Sequence, residues 1–447
     1  MARVVESKKA LSVYPLKLSQ PLGAMYAFMG VKGSIPLIHG SQGCASFAKT
    51  FLTRHFWENI PVQTTALSQI ATVMGNDDVL HTALKNVIER AKPEVVAVIT
   101  TGVTETRGDY TEGSIKLFRE LYPDFRHVEI LCVHTPDYEG SFHTGYKEAL
   151  LSIVKNVVRT KYATVPDQVN LIVSYSLTAE DIDTLKELLE LFGLKVIVLP
   201  DISMSMDGGV LGFSSVIPNG TALRDIQRMS SSTITIAVGE SAKAAGEYLE
   251  KEFMIPMYYF EHLMGIESYD ELIRLLINLT GRDLPERVKR WRNRLLDMMI
   301  DSHFYLSKKR VAIAGEPDYI IGLSQFLAKE LGMVVSLAVT TVKTESLETL
   351  PVEDIIVGDL EDILNSKKDF DLLIGNTNLR HVASKLNVPH YRVGIPIFDR
   401  LGHFLKGFIG YKGSTYFTMD IANLLMEREE EESYRVPDYV KRRYEQC

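Results

Sequence analysis

The sequence predicts an α/β protein of three doubly wound domains with mostly parallel sheets. Three observations support this class: short runs rich in Val and Ile alternate with segments of helical period, the alternation recurs in three blocks, and polar breaks separate the blocks. Strands that alternate with helices along the chain are typical of parallel sheets covered by helices. We therefore expect three Rossmann-like domains, at residues 1–165, 166–306 and 307–447.

Each block contributes its own strands and helices in order. Apolar residues at helical spacing, as at Ile182, Leu185 and Leu189, predict helices between the strands. Gly193 follows that helix where a left-handed C-cap residue is favoured. The predicted strands are 35–38, 95–101, 127–133, 169–175, 195–199, 234–238, 257–260, 310–314, 333–339, 371–374 and 390–393.

Composition limits the partners and the compartment. The 447 residues carry a formal net charge of -8, which disfavours nucleic acid as a main partner. No uninterrupted apolar run reaches the roughly 18 to 20 residues that a membrane helix needs. Residues 1–11 are charged and lack the apolar core of a secretory signal. We expect a cytoplasmic protein with no membrane segment.

Common catalytic and phosphate-binding motifs are missing. The sequence contains no GxxxxGK[ST], no GxGxxG after a strand, no HExxH and no GxSxG, and the GGVLG run at 208–212 is typical of a flexible loop. His127, His134 and His143 lie around loops of the first block and are interpreted as surface residues rather than a metal set. The basic stretch 287–294 and the acidic run 427–432 are interpreted as solvated helix faces.

The three cysteines differ in their surroundings. Cys132 lies in an apolar strand and is expected to be a small core residue, and Cys447 is the last residue. Cys44 follows two glycines in a turn-rich segment, so we expect it to be presented on a loop. From local sequence alone, this cysteine is compatible with a metal or redox role and with an incidental one.

Three segments change that balance because they occur together and in order. They resemble the cluster-binding segments of the nitrogenase molybdenum–iron protein family: 19–24 (SQPLGA), 39–44 (HGSQGC) and 100–105 (TTGVTE). Further resemblance runs through 297–318, 394–400 and 410–414, so the similarity covers nearly the whole chain. It implies the same three-domain fold as in the molybdenum–iron proteins.

The resemblance also shows a departure. In the catalytic β subunits of that family, each of the three segments contributes a cysteine to the P-cluster. Here the corresponding residues are Ser19, Cys44 and Gly102, and a glycine has no ligand atom. The chain cannot supply half of a P-cluster, which excludes the nitrogenase β subunit itself. This pattern, in which one of the three cysteines is retained, resembles that of the NifN family. Members of that family are the β-like subunits of the cofactor-assembly scaffold NifEN.

That resemblance implies a function for the chain as one half of a scaffold. In such complexes a NifE-like α subunit and the β-like chain form an α2β2 heterotetramer, with a 4Fe-4S cluster at each α–β interface. The α subunit gives three cysteines and the β-like chain gives one, so Cys44 is the implied metal ligand. The iron–molybdenum cofactor precursor is held mainly by the α subunit.

Other partners and roles follow from the same resemblance. The implied partners are the cluster donor NifB, the iron protein NifH and the apo form of the nitrogenase molybdenum–iron protein, with electron transfer through the interface cluster. His39 is expected to fix its loop, and Ser19 to start a helix rather than to bind metal. Glu105 is compatible with an interface ion pair and with a loop-capping role.

Two alternatives remain open from the sequence. One is the β-like subunit of a nitrogenase-like reductase acting on a tetrapyrrole such as protochlorophyllide, which also has an interface 4Fe-4S cluster. The other is a cluster-free α/β binding protein in which Cys44 is incidental.

Overall fold

A computed structural model describes residues 2–9, 11–74, 78–205 and 214–433. The strands, in chain order, are β1 (Arg3–Glu6), β2 (Ser34–Ile38), β3 (Gln63–Thr64), β4 (Val95–Ile99), β5 (Glu129–Val133), β6 (Gln168–Val173), β7 (Lys195–Leu199), β8 (Ile234–Val238), β9 (Met257–Phe260), β10 (Arg310–Ala314), β11 (Val334–Thr340), β12 (Asp354–Val357), β13 (Leu372–Gly375) and β14 (His390–Arg392).

Helices connect these strands throughout the described residues. They are α1 (Gln20–Phe28), α2 (Gln42–Phe56), α3 (Gln69–Met74), α4 (Asp78–Ala91), α5 (Gly102–Arg107), α6 (Thr111–Leu121), α7 (Phe142–Val157), α8 (Ala179–Leu191), α9 (Leu223–Gln227), α10 (Glu240–Phe253), α11 (Glu267–Thr280), α12 (Glu286–Leu306), α13 (Pro317–Gln325), α14 (Glu361–Asn365), α15 (Arg380–Leu386) and α16 (Gly410–Ser433). No described helix combines the length and the apolar character needed to cross a membrane.

The strands form three parallel sheets. Their orders are β3-β2-β4-β5, β7-β6-β8-β9 and β1-β12-β11-β10-β13-β14. Every residue of β2, β4 and β8 is buried, because helices cover both faces of a parallel sheet. The predicted α/β class with mostly parallel sheets is confirmed.

The third sheet includes a strand from the start of the chain. Strand β1 pairs with β12, so that Arg3 lies opposite Asp354. Lys9 strengthens the same contact through ion pairs with Asp359 (2.6 Å) and Asp362 (3.0 Å). Residues 3–6 therefore belong to the third sheet, although the predicted first domain spans 1–165. The boundaries at 165 and 306 stay predictions.

Helices α1 and α7 are held unusually close together. A Cβ atom added to Gly145 would overlap the carbonyl oxygen of Gln20, and one added to Gly23 would overlap the carbonyl of Phe142. All nine residues of α1 are buried. This packing fixes the start of α1, which carries the segment around Ser19.

The two charged runs lie on helices, as expected. The basic stretch forms the first half of α12, where Arg292 donates to Asp270 with an Nη2–Oδ2 distance of 2.7 Å. The acidic run begins on α16, and Glu429 pairs with Lys309 at 2.7 Å. The GGVLG run at 208–212 lies outside the described residues.

Candidate functional site at the edge of the first sheet

The sequence segments around Cys44 and Gly102 follow neighbouring strands. Strands β2 and β4 are parallel, so their carboxyl ends meet at one edge of the sheet. Helix α2 begins after β2 with Ser41 as its N-cap residue, and α5 begins after β4 with Thr101 as its N-cap residue. The amino-terminal ends of these two helices therefore lie side by side.

Hydrogen bonds join these two segments. The hydroxyl groups of Thr101 and Thr104 donate to the backbone carbonyl of His39 at 3.1 and 3.4 Å. Gly40 passes so close to Thr101 that a Cβ atom on it would lie 2.7 Å from the Thr101 Cγ2. The sequence needs a glycine here because the chain crosses directly over the next segment.

The third segment joins them through the loop after β5. The backbone N–H of Gln20 donates to Asp137 at 3.0 Å, and its side-chain amide donates to the carbonyls of Pro136 (2.9 Å) and Glu139 (2.6 Å). Asp137 also borders Gly102, since a Cβ atom added to this glycine would lie 3.6 Å from the Asp137 Cβ. Burial raises the pKa of Asp137, while the Gln20 N–H and Lys17 oppose that rise. All three segments thus meet at one edge.

Cys44 is the exposed thiol of this edge. It is the third residue of α2 rather than a loop residue, and its Sγ lies 3.5 Å from the Ser41 hydroxyl. The loop prediction was wrong. The residues Ser41, Gln42 and Gly43 are typical of a turn, but the first turn of a helix also tolerates Gly43. The prediction that the thiol is presented to solvent is correct.

Ser19 and Gly102 have positions that do not replace the missing thiolates. Ser19 is the half-buried N-cap residue of α1, which agrees with the expected helix-start role. Gly102 has room for a Cβ but no ligand atom. Within the described ranges, no three His, Cys, Asp or Glu side chains are gathered to hold a metal ion. These donors fit one ligand to a group shared with another chain, and they do not fit a complete cluster site.

Cys132 agrees only partly with the core position that was expected for it. It lies in β5 and is half-buried, and burial, with the charges of Glu112 and Glu105, raises the pKa of its thiol to about 12. Cys447 lies outside the described residues. A protonated thiol is a poor nucleophile and metal ligand, so Cys44 remains the candidate.

The three histidines of the first block do not form one group. His127 is exposed, and His134 pairs with Glu105 at 2.8 Å. His143 is buried in α7 with its Nδ1 3.0 Å from the Tyr175 hydroxyl, so the surface interpretation of this residue was wrong. His143 is buried because it lies on the face of α7 that packs against the core.

The remaining predicted residues have local roles. The Nδ1 of His39 lies 3.1 Å from the Thr65 hydroxyl, which fixes the loop as expected. Glu105 accepts a hydrogen bond from the Thr100 hydroxyl at 2.5 Å, as a loop-capping residue does. Arg107 pairs with Asp109 at 2.8 Å and also donates to the Ala71 carbonyl at 3.0 Å.

Exposed apolar side chains lie on the three helices α2, α3 and α5 at this edge of the first sheet. Ile70 and Val73 on α3 are 77% and 83% exposed, and Phe47 on α2 and Val103 on α5 are also exposed. We call these four residues the apolar rim. Phe47 shares α2 with Cys44, and α3 contacts α5, so the four side chains lie on helices of the same edge.

The sequence did not predict a second polar centre, where the three blocks meet. Glu316 accepts hydrogen bonds from the hydroxyls of Ser141 (2.7 Å) and Thr341 (2.6 Å). Asp318, two residues later, binds Ser174 and Ser241. The available signal was the pair of carboxylates in the run GEPD directly after β10.

Comparison with known proteins gives the family. A family model described as nitrogenase component 1 type oxidoreductase matches residues 19–426. The nitrogenase iron-molybdenum cofactor biosynthesis protein NifN of Nostoc sp. is 42% identical, with 96% of this chain and 97% of that protein covered. NifN of Bradyrhizobium diazoefficiens is 40% identical, with 98% and 94% covered.

A solved structure agrees with this result. Nitrogenase Cp1 at pH 6.5 superposes with a TM-score of 0.90 at 31% identity, and 96% of each chain is covered. The match therefore extends over the three sheets and the helices between them. This chain belongs to the nitrogenase component 1 family and groups with its NifN members.

Proposed function

We propose that this chain is the β-like subunit of a scaffold on which the iron–molybdenum cofactor of nitrogenase is matured. In this proposal Cys44 provides one thiolate ligand to a 4Fe-4S cluster shared with a NifE-like α subunit. The observation that carries the proposal is the single exposed thiol at the meeting point of three segments, two of which lack a cysteine. The names of the NifN relatives support the scaffold over a tetrapyrrole reductase.

The chemistry of the donors supports a shared cluster. Iron–sulfur clusters require soft thiolate ligands, and a cubane needs one terminal ligand for each of its four irons. Cys44 offers one such ligand, and Ser19 and Gly102 offer none that competes with a thiolate. A partner chain that gives three cysteines would complete the set.

The surroundings of Cys44 suit a protein interface. The apolar rim would be covered by the α-like subunit, which would remove the cluster from water. The sulfur lies in the first turn of α2, and the Ser41 hydroxyl is 3.5 Å from it. When bound, the cluster would supply electron transfer during maturation.

The wider partner set belongs to the same proposal. A precursor from NifB would be held mainly by the α subunit, NifH would assist its maturation, and apo-nitrogenase would receive the product. This chain would contribute half of the scaffold, one cluster ligand and part of the docking surface. No residue of this chain is assigned a catalytic role.

The ligand assignment is tested in the complex purified anaerobically with its α-like partner. Cys44→Ala should lower the iron content or change the electron paramagnetic resonance signal, because one terminal ligand is lost. Cys132→Ala is the matched control and should leave both unchanged. Unaltered iron content and spectrum in Cys44→Ala would show that Cys44 is not a ligand.

A further inference from the structure

Helix α2 contacts different neighbours at its two ends. Cys44 lies in its first turn, whereas His55 lies in its last turn and is only 4% exposed. The Nδ1 of His55 lies 3.0 Å from the backbone nitrogen of Ile397 and 3.0 Å from the Nε2 of His403. This pair of rings, with centroids 4.4 Å apart, joins α2 to residues 395–405.

Only a neutral His55 fits this arrangement. The Ile397 N–H needs a lone pair on the His55 Nδ1, so the proton of the neutral ring is assigned to Nε2. Protonation at Nδ1 would convert the acceptor into a donor and leave the buried N–H of Ile397 without an acceptor. A buried donor without a partner is costly.

The charged groups nearby do not compensate for a charge on His55. Asp399 is the nearby carboxylate, and it is already paired with Arg392 at 3.0 Å. Arg54 lies over the Phe398 ring at 4.3 Å, and Arg400 also contributes positive charge. Burial, followed by the proximity of His403, lowers the pKa of His55 well below its ordinary value. Burial likewise lowers the pKa of His403, while Asp399 opposes this effect.

We propose that His55 and His403 form an acid-labile clasp that positions α2, and with it Cys44, against residues 395–405. Opening of the clasp exposes His55 to water and restores its ordinary affinity for protons, so acid favours the open form. The clasp stands on its own geometry, whereas its effect on cluster binding rests on the proposed function of Cys44.

Opening of the clasp depends on pH because it changes the affinity of the histidines for protons. The open form titrates near the ordinary histidine pKa of about 6.5, and the closed form takes up a proton only at lower pH. The clasp is therefore intact above about pH 6.5 and is lost as the pH falls below it. Each of the two histidines that takes up a proton on opening should raise the opening equilibrium by up to about tenfold per pH unit in that range.

Hydrogen–deuterium exchange of the complex with its α-like partner tests the clasp. Peptides that cover α2 and residues 395–405 would be followed from about pH 7.5 to about pH 5.5, after correction for intrinsic exchange. In the wild type, protection should fall below about pH 6.5 by up to about tenfold per pH unit for each of the two histidines. His55→Asn keeps an acceptor near the Nδ1 position but cannot be protonated, so it should keep its neutral protection and lose the part of the acid response that His55 contributes.

Three further variants complete the experiment. His127→Asn changes an exposed histidine elsewhere and should respond to acid as the wild type does. His55→Gln is a second non-titrating variant in case the asparagine disturbs folding. Cys44→Ala should keep the acid response, so that a failure of the ligand assignment is distinguished from a failure of the clasp. An unchanged protection in the acidified wild type, or an undiminished acid response in both His55 variants, would overturn the clasp.

Discussion

The Ser241 hydroxyl donates a 2.5 Å hydrogen bond to the Asp318 carboxylate, which joins the start of α10 to the start of α13. Asp318 also accepts from the Ser174 hydroxyl at 2.5 Å and from the Glu240 N–H at 2.8 Å. One carboxylate in the third block thus satisfies donors at the carboxyl ends of β6 and β8. The second and third blocks are held together by this polar contact as well as by apolar packing.

Asp318→Ala should destabilise the fold by about 3 kcal/mol, because it leaves these buried donors without an acceptor. Asp318→Asn keeps one acceptor oxygen, so its loss of stability should be smaller. The urea midpoint of unfolding measures both changes, with the exposed Asp369→Ala as the control. Equal midpoints for Asp318→Ala and Asp369→Ala would contradict the role assigned to Asp318.

Glu316 should make stability depend on pH. Burial raises its pKa to about 7 from an ordinary value of 4.5, against opposing hydrogen bonds from Thr341 and Ser141. The folded chain keeps this proton where the unfolded chain releases it, so the stabilisation is complete below pH 4.5 and is lost as the pH rises to 7.

The neutral variant Glu316→Gln removes this dependence. Its stability relative to the wild type should rise by about 3 kcal/mol between the two pKa values. Urea unfolding of both proteins across this pH range gives the difference. A difference that stays constant with pH would show that the proton of Glu316 is not linked to folding.

The two described cysteines should react at different rates. In the folded chain near pH 7, Cys44 should be alkylated by a maleimide at least about tenfold faster than Cys132, because it is exposed and the raised pKa of Cys132 keeps that thiol protonated. Peptide mass mapping distinguishes the sites, and chain denatured in urea is the control. Similar rates at both sites before denaturation would contradict the structure.

The close contact of α1 and α7 should tolerate no side chain. Gly145→Ala should cost about 1–3 kcal/mol, because its Cβ would meet the Gln20 backbone. Gly102→Ala places the same methyl group in ordinary van der Waals contact with Asp137 and is the matched control. The urea midpoint should fall for the first variant and stay near the wild-type value for the second.

The sequence predicted best those strands that are buried on both faces. The run of β4 is continuously apolar and that of β8 is interrupted only by Thr235, and the structure places both within two residues of the prediction. Strands β1 and β12 were missed because each has only four residues and is partly exposed. A short strand of this kind carries little periodic signal.

The sequence also predicted only part of the candidate site. The exposure of Cys44 followed from its glycine-rich neighbours, but its position in a helix did not. The centre of Glu316 and Asp318 joins residues as far apart as Ser141 and Glu316, which are 175 positions apart. Local patterns contain no information about such a contact, because it arises only when the three sheets are packed.

The pairing of β1 with β12 has a consequence for synthesis on the ribosome. Arg3 meets Asp354, which is added about 350 residues later. At about 5 to 20 residues per second, the first strand emerges and then waits about 20 to 70 s before its partner exists. Residues 3–6 are thus made well before the strand with which they pair, and their backbone hydrogen-bonding groups stay open to wrong partners in the meantime.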